Sequence, residues 1–273
     1  MKTNPFFSFF KKPVIIGCSI ALVLLLITAQ FAYQRYLIQK AEQTKELNRE
    51  AQDVKEKLQT ALNHSLSATK TLSLLVTRYN GERDFDTVAK SILESNKYID
   101  GLELVRAGVI TKIYPLQGNE QALGYNILED TLRNKEAIRA INDNELFFAG
   151  PIQLRQGYPA VVGRLPITEQ GKFWGFAAVI IKLSTFIKAA EIDSAHNPGF
   201  IYQLSKIDPN TGKEVFFLPH AEFFQQGQQV VSTKVSKGNW IIYVRSADSR
   251  WPVTLLPIII LGVLLSASGG LLA

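Results

Sequence analysis

The sequence predicts an α+β protein: a long N-terminal stalk helix followed by two α/β units, flanked by two transmembrane helices. Three observations carry this expectation. Residues 14–32 and 251–273 are uncharged and almost wholly apolar, each about the ~20 residues a helix needs to cross ~30 Å of hydrocarbon. After the first run, apolar and small residues recur at alternating spacings of four and three. From residue 101 the period shortens to that of strands separated by turn residues.

The first run, VIIGCSIALVLLLITAQFA, follows a tail holding Lys2, Lys11 and Lys12. A cleaved signal peptide and an uncleaved anchor both fit these features; the length of the core and the lack of an A-x-A pattern before Ala32 favour the anchor. The basic tail argues for a cytoplasmic N-terminus, because charges on a large translocated domain count for little. The region between the spans then lies outside the cytoplasm, in the periplasm of a Gram-negative host.

The seam of the stalk is Leu47, Ala51, Val54, Leu58, Ala61, Ser65, Ala68, Leu72, Leu75 and Tyr79. A heptad seam of this kind pairs with a second protomer, giving a homodimer through the stalk helix, or packs on its own domain. Asn80-Gly81 ends the helix. A second amphipathic helix follows at 85–96, then two short strands over 101–115 about Ala107-Gly108. The loop YPLQGNEQALGYNIL (114–128) leads to a helix from about Leu128 to Asn142, and strands follow at 145–154, 158–167 and 172–183. A second unit comprises a helix at 184–192, a strand at 200–207, the turn DPNTG (208–212) and strands at 213–219, 229–235 and 239–245. The organisation is a tail (1–13), a transmembrane helix (14–32), the stalk (33–80), two α/β units (81–183 and 184–250) and a transmembrane helix (251–273).

Net charge is +6. Three of the 30 Lys and Arg lie in the tail, leaving 27 against all 24 acids between the spans. That surplus of three forms no basic stripe, so no nucleic-acid partner is expected. The lone cysteine, Cys18, is inside the first span, so the inter-span region has no disulfide. No nucleophile elbow, zinc-protease helix or phosphate-binding loop is present. His64, His196 and His220 have no metal-ligand spacing, and Glu129-Asp130 reads as the acidic start of a helix. We expect no catalytic residues, metal or cofactor, and hence no enzyme.

Four fragments in order resemble the CHASE domain, the extracytoplasmic sensor module of histidine kinases and nucleotide cyclases, known from cytokinin receptors. They are the 114–128 loop, a helix carrying Arg133 and Ala140, FFAGPIQLRQGYPAVVGRLPI (147–167) and GKFWGFAAVIIKLSTFI (171–187). The resemblance implies two PAS-like units, the membrane-distal one (81–183) binding a small molecule and the membrane-proximal one (184–250) lying next to the second span. Carried over at the AGP (149–151) and RLP (164–166) anchors, the receptors' acidic adenine-binding residue falls at Arg133 and their pocket threonine at Arg164. Two guanidiniums facing one cavity would suit a carboxylate or phosphate, although either could serve a structural salt bridge. Leu154, Ala149, Val162, Phe148 and Tyr114 are the expected apolar wall. Gly118 and Gly124 would fold the loop over the pocket mouth as a lid, with Leu123 and Ile127 turned inward.

The expected function is a membrane-anchored sensor. It binds an anionic small molecule and signals to a cytoplasmic output, such as a histidine kinase or diguanylate cyclase, in cis or in trans. In the second span Gly262, Ser266 and Gly270 form a small-xxx-small face suited to close helix contact. A ligand-free dimerisation or interaction module is the competing expectation, and an extracytoplasmic enzyme is a third.

Overall fold

The computed structural model describes residues 13–79, 82–193, 197–218, 223–224, 228–247 and 255–272. The expected helix stop at Asn80-Gly81, His196, His220 and residues 251–254 lie outside the described residues. The chain divides into two compact units, residues 1–47 with 248–273, and residues 48–247.

The first unit holds the start of helix α1 (Pro13–Tyr79) and a C-terminal helix (Leu255–Leu272). Leu22, Val23, Leu26, Ile27 and Phe31 on α1 are exposed, which suits lipid rather than a protein core. Among the described residues, α1 is the one helix long and apolar enough to cross a membrane. The C-terminal helix is shorter in its apolar part, Leu255–Ser268, and its role as a second span is taken up below. Gly262 gives the two helices room to touch, since a Cβ there would stand 2.0 Å from Thr28 Cγ2. Ser266, one turn on, is buried.

The second unit is built on two antiparallel sheets. The larger has strands β1 (Gly101–Arg106), β2 (Val109–Tyr114), β3 (Phe147–Gln153), β4 (Pro159–Glu169) and β5 (Lys172–Lys182), in the order β2-β1-β5-β4-β3. The smaller has β6 (Phe200–Ile207), β7 (Glu214–Phe216), β8 (Val230–Val235) and β9 (Trp240–Ser246), in the order β7-β6-β9-β8. Helices α2 (Phe85–Ser95), α3 (Asn134–Asp143) and α4 (Leu183–Ala190) join them, and the C-terminal helix is α5. Every residue of β5 from Gly175 to Ile181 is buried, as expected of a central strand covered on both faces. One face carries Val105, Phe176, Ile180 and Ala160, packed with Ala137 and Ala140 of α3.

Helix α3 begins six residues later than the sequence predicts. Asp130 spends its carboxylate on the Leu132 amide (2.9 Å), and its carbonyl accepts from the Arg133 and Asn134 amides. A side chain that satisfies local amides in this way stabilises a turn in place of a helix. Strand β7 is also shorter than expected, three exposed residues instead of seven.

The seam of α1 is filled by its own chain. Ala51, Val54, Leu58, Ala61, Ser65, Ala68 and Leu72 are all buried in the single protomer. Around them Tyr202 donates to Glu50 (2.6 Å), Lys57 pairs with Glu191 (2.8 Å), and His64 stacks on Tyr98 at 5.1 Å. The homodimer expected through the stalk therefore loses the face that motivated it. Heptad spacing reports an apolar stripe, and the two sheets cover that stripe before a partner can.

The sheets meet at Lys206 of β6. Its buried ammonium pairs with Glu136 of α3 and donates to the Phe148 carbonyl at 3.1 Å. It lies 5.4 Å from the Phe147 ring centroid and 5.5 Å from that of Trp240. Burial pulls its pKa down while Glu136 pushes back. Trp240 Nε1 donates to the Gly150 carbonyl (2.8 Å), and the Gly150 amide donates to Glu136 Oε2 (3.3 Å). The AGP anchor thus sits where the sheets are joined.

Two outcomes follow from this packing. Leu58→Ala should cost about 2–5 kcal/mol, and its urea midpoint should not move on tenfold dilution, because the seam is filled within one chain. Glu136→Gln, which strands the Lys206 ammonium, should cost about 3–5 kcal/mol, and adding Lys206→Met should recover most of it. Urea unfolding of the two single variants and the double variant checks this.

Candidate functional site

A cavity of about 30 Å³ opens on the α3 face of the larger sheet. Its floor is Glu103 on β1, Ile110 on β2, Ile152 and Leu154 on and after β3, and Val162 and Arg164 on β4. The loop between β2 and α3 supplies Ala122, Tyr125, Ile127 and Arg133, and the β3–β4 turn supplies Arg155 and Gln156.

Strand alternation decides which side chains reach it. Arg164 and Val162 share one face of β4, and both line the cavity, as do Leu154 and Arg133. Three other expected wall residues do not. Phe148 pairs in register with Gly163, so it points to the opposite face, where its ring lies 6.1 Å from that of Trp240. Tyr114 pairs with Leu102, while its neighbour Ile113 pairs with Glu103, so Tyr114 also faces away. Ala149 shares the Val162 face but is buried and does not line the space.

The loop does wall the cavity, in altered form. Gly118 and Gly124 adopt left-handed φ of +81° and +76°, the conformations glycine permits. Ile127 is buried as expected, whereas Leu123 is 43% exposed and Ala122 takes the inward position. The short helical turn Glu120–Ala122 rotates Leu123 outward.

Charge at the site is set by two side chains that the sheet brings together. The registers place Glu103 and Arg164 opposite the same residue, Ala178 of β5. With strands about 4.8 Å apart, their Cα atoms are roughly 10 Å apart on one face, with only a methyl between them. Arg164 is 5% exposed and Glu103 4%. Arg164 Nε has no hydrogen-bond partner, and no carboxylate among the described residues forms an ion pair with the guanidinium. Burial lowers the Arg164 pKa against the opposing effect of Glu103 and Glu136. Burial also pushes the Glu103 carboxyl up to about 7, with Arg164 pulling the other way.

The other two arginines are engaged. Arg133, at the N-cap of α3, stands 3.8 Å from Asp130, which also accepts the Tyr125 hydroxyl. Arg155 lies over the Tyr125 ring at 4.2 Å, joining the β3–β4 turn to the loop across the cavity mouth. Sequence reasoning missed Glu103, Tyr125 and Arg155. Among the described residues no group of three or more His, Cys, Asp or Glu is placed to hold a metal ion.

Residues 103–217 match the CHASE domain family, and no curated protein matches the chain. The chain is similar in structure to an extracellular ligand binding receptor from Desulfohalobium retbaense DSM5692, with 17% identity and TM-score 0.55. That match covers 75% of this chain and 40% of the receptor, so this chain spans about two fifths of the receptor's length. It is similar to the extracellular domain of soHK1S-Z6, a protein assigned as a histidine kinase (14% identity, TM-score 0.54, 82% of this chain and 99% of that one). It is also similar to the ligand binding domain of the Pseudomonas aeruginosa PAO1 amino acid chemoreceptor PctB in complex with L-Arg (13% identity, TM-score 0.56, 74% and 94%). At these identities the likeness is one of fold: a long N-terminal helix followed by antiparallel sheets.

The raised Glu103 carboxyl gives the site a pH signature. The folded chain keeps a proton that the unfolded chain loses above its ordinary value of 4.5, up to about 7. Stability should therefore fall as pH rises through that window and level off above it. Glu103→Gln should remove this component, so the variant gains on the wild type by on the order of 2–3 kcal/mol between pH 4.5 and 7.5. Parallel urea titrations across that range read the difference.

Proposed function

We propose that the CHASE domain carried at residues 103–217 is the sensing part of a membrane-anchored receptor, and that its ligand enters the cavity on the α3 face with an anionic group on Arg164. A CHASE domain is a non-catalytic input module, so the work of the site is recognition. One observation carries the reading. Arg164 is a buried guanidinium whose Nε has no protein partner, and a charge in that position costs several kcal/mol unless something matches it. Lys206, the buried cation between the two sheets, is matched in this way by Glu136. A carboxylate or phosphate gripped by Arg164 would supply the missing partner.

The exposed apolar surface of α1 supports a membrane anchor with the sensor on the extracytoplasmic side. The exposed Leu256, Ile260, Leu261, Val263, Leu264 and Leu265 of α5 support a second span, since a soluble surface rarely carries so continuous an apolar patch. The signalling output, in cis or in trans, follows from the same reading. The small cavity favours a competing one, a ligand-free interaction module in which Glu103 and Arg164 balance each other.

Thermal unfolding of the detergent-solubilised chain against organic acids, phosphates and adenine derivatives separates the two. A ligand at a hundredfold excess over Kd stabilises by about 2.7 kcal/mol, and that gain should vanish in Arg164→Ala. Stabilisation by adenines alone sinks the anion, and no stabilisation by any of them leaves the interaction module.

A further inference from the structure

The charges that face the cavity do not call for a simple anion. Arg133 is balanced by Asp130 at 3.8 Å, and Arg155 lies over Tyr125. What remains without a hydrogen-bond or ion-pair partner among the described residues is one cation, Arg164, and one anion, Glu103. Both are more than nine-tenths buried and stand on the same sheet face across Ala178. A ligand with a carboxylate alone would pair Arg164 and leave Glu103 without a partner, buried beside a second acidic group. An amine alone would do the reverse to Arg164. A molecule with both groups matches both, and each match removes the cost of a buried unpaired charge.

We propose that the ligand is an amino acid zwitterion, its carboxylate held by Arg164 and its ammonium by Glu103. The inference rests on the cavity being a ligand site, and it narrows the anionic reading to one class. Ala178 lies between the two charges, so the backbone of the amino acid sits over the only small side chain in that row. Its side chain points toward the mouth, where Tyr125 and the Arg155–Gln156 turn meet it. Two groups from two strands fix the ligand at both ends, and discrimination against analogues lacking either end follows from the buried partner that would be stranded.

The test is titration of the full chain in detergent micelles at pH 7.5, read by thermal unfolding and by calorimetry. The probes are L-alanine, L-glutamine, L-arginine and 4-aminobutyrate as zwitterions, lactate and succinate as acids without an amine, and isobutylamine as an amine without an acid. The expected result is binding of one or more zwitterions and at least tenfold weaker binding of both single-charge classes. Glu103→Gln and Arg164→Met should each weaken the zwitterion at least tenfold while the unliganded variants still unfold cooperatively. Lactate or succinate binding as tightly as the amino acids, lost in Arg164→Met but unchanged in Glu103→Gln, would overturn the zwitterion and leave the anion site standing. Amino acid binding untouched by either substitution, or no binding by any probe, would overturn both.

Discussion

A buried charge must be matched, and that constraint organises the second unit. Lys206 satisfies it within the protein. Its ammonium takes Glu136 and the Phe148 carbonyl, and Phe147 and Trp240 turn ring faces toward it. Because Lys206 comes from the smaller sheet and Glu136 from the helix lying on the larger one, matching this one charge fixes how the two sheets meet. Trp240 and Gly150 add the neutral hydrogen bond that closes the joint. Arg164 and Glu103 obey the same constraint differently. They are as buried as Lys206, yet the described protein supplies neither with a direct partner, and such groups are where recognition chemistry is found.

Both arrangements share helix α3. Arg133 stands at the N-cap position of its start, on the cavity wall, and Glu136, one turn further, is the residue that Lys206 holds. A ligand shifts an equilibrium only by binding one conformation better than another. Here a shift of the first turn of α3 would be felt on β6 without any long chain of intermediates. The Asn210 side chain donates to the Leu132 carbonyl (2.7 Å) and Lys135 to the Pro209 carbonyl (2.9 Å), tying the turn after β6 to the same end of α3.

Much of this was legible in the sequence, and the site residues that were not have a common cause. Period-two alternation, turn glycines and the DPNTG turn locate eight of the nine strands among the described residues to within a residue or two, and the AGP and RLP anchors point to Arg164, which lines the cavity. Phe148 adjoins the AGP anchor and Tyr114 opens the 114–128 loop, yet both face away from the cavity, because one residue of register sends a side chain to the other face. Glu103 was passed over although its signal is present, an acid in GLELVR between residues that are otherwise apolar. Its meaning depends on the β1–β5–β4 order, which no local pattern states. The stalk seam is a different case. Heptad spacing says that a helix has an apolar stripe and leaves open what covers it.

The volume of the cavity bears on how such a site would signal. About 30 Å³ is room for roughly two water molecules, far below the ~300 Å³ at which small-molecule pockets begin. An amino acid cannot occupy it with the walls where they stand, so occupancy and wall displacement are one event. The floor cannot yield, because Glu103, Val162 and Arg164 are set in β1 and β4, two inner strands of a sheet covered on both faces. What can yield is the Arg155–Tyr125 contact between the β3–β4 turn and the loop, with Arg133 behind it. Part of the binding energy is then spent on moving the segment that leads into α3, which lowers affinity and couples ligand to conformation in the same step. A roomy, preformed pocket would bind more tightly and transmit less.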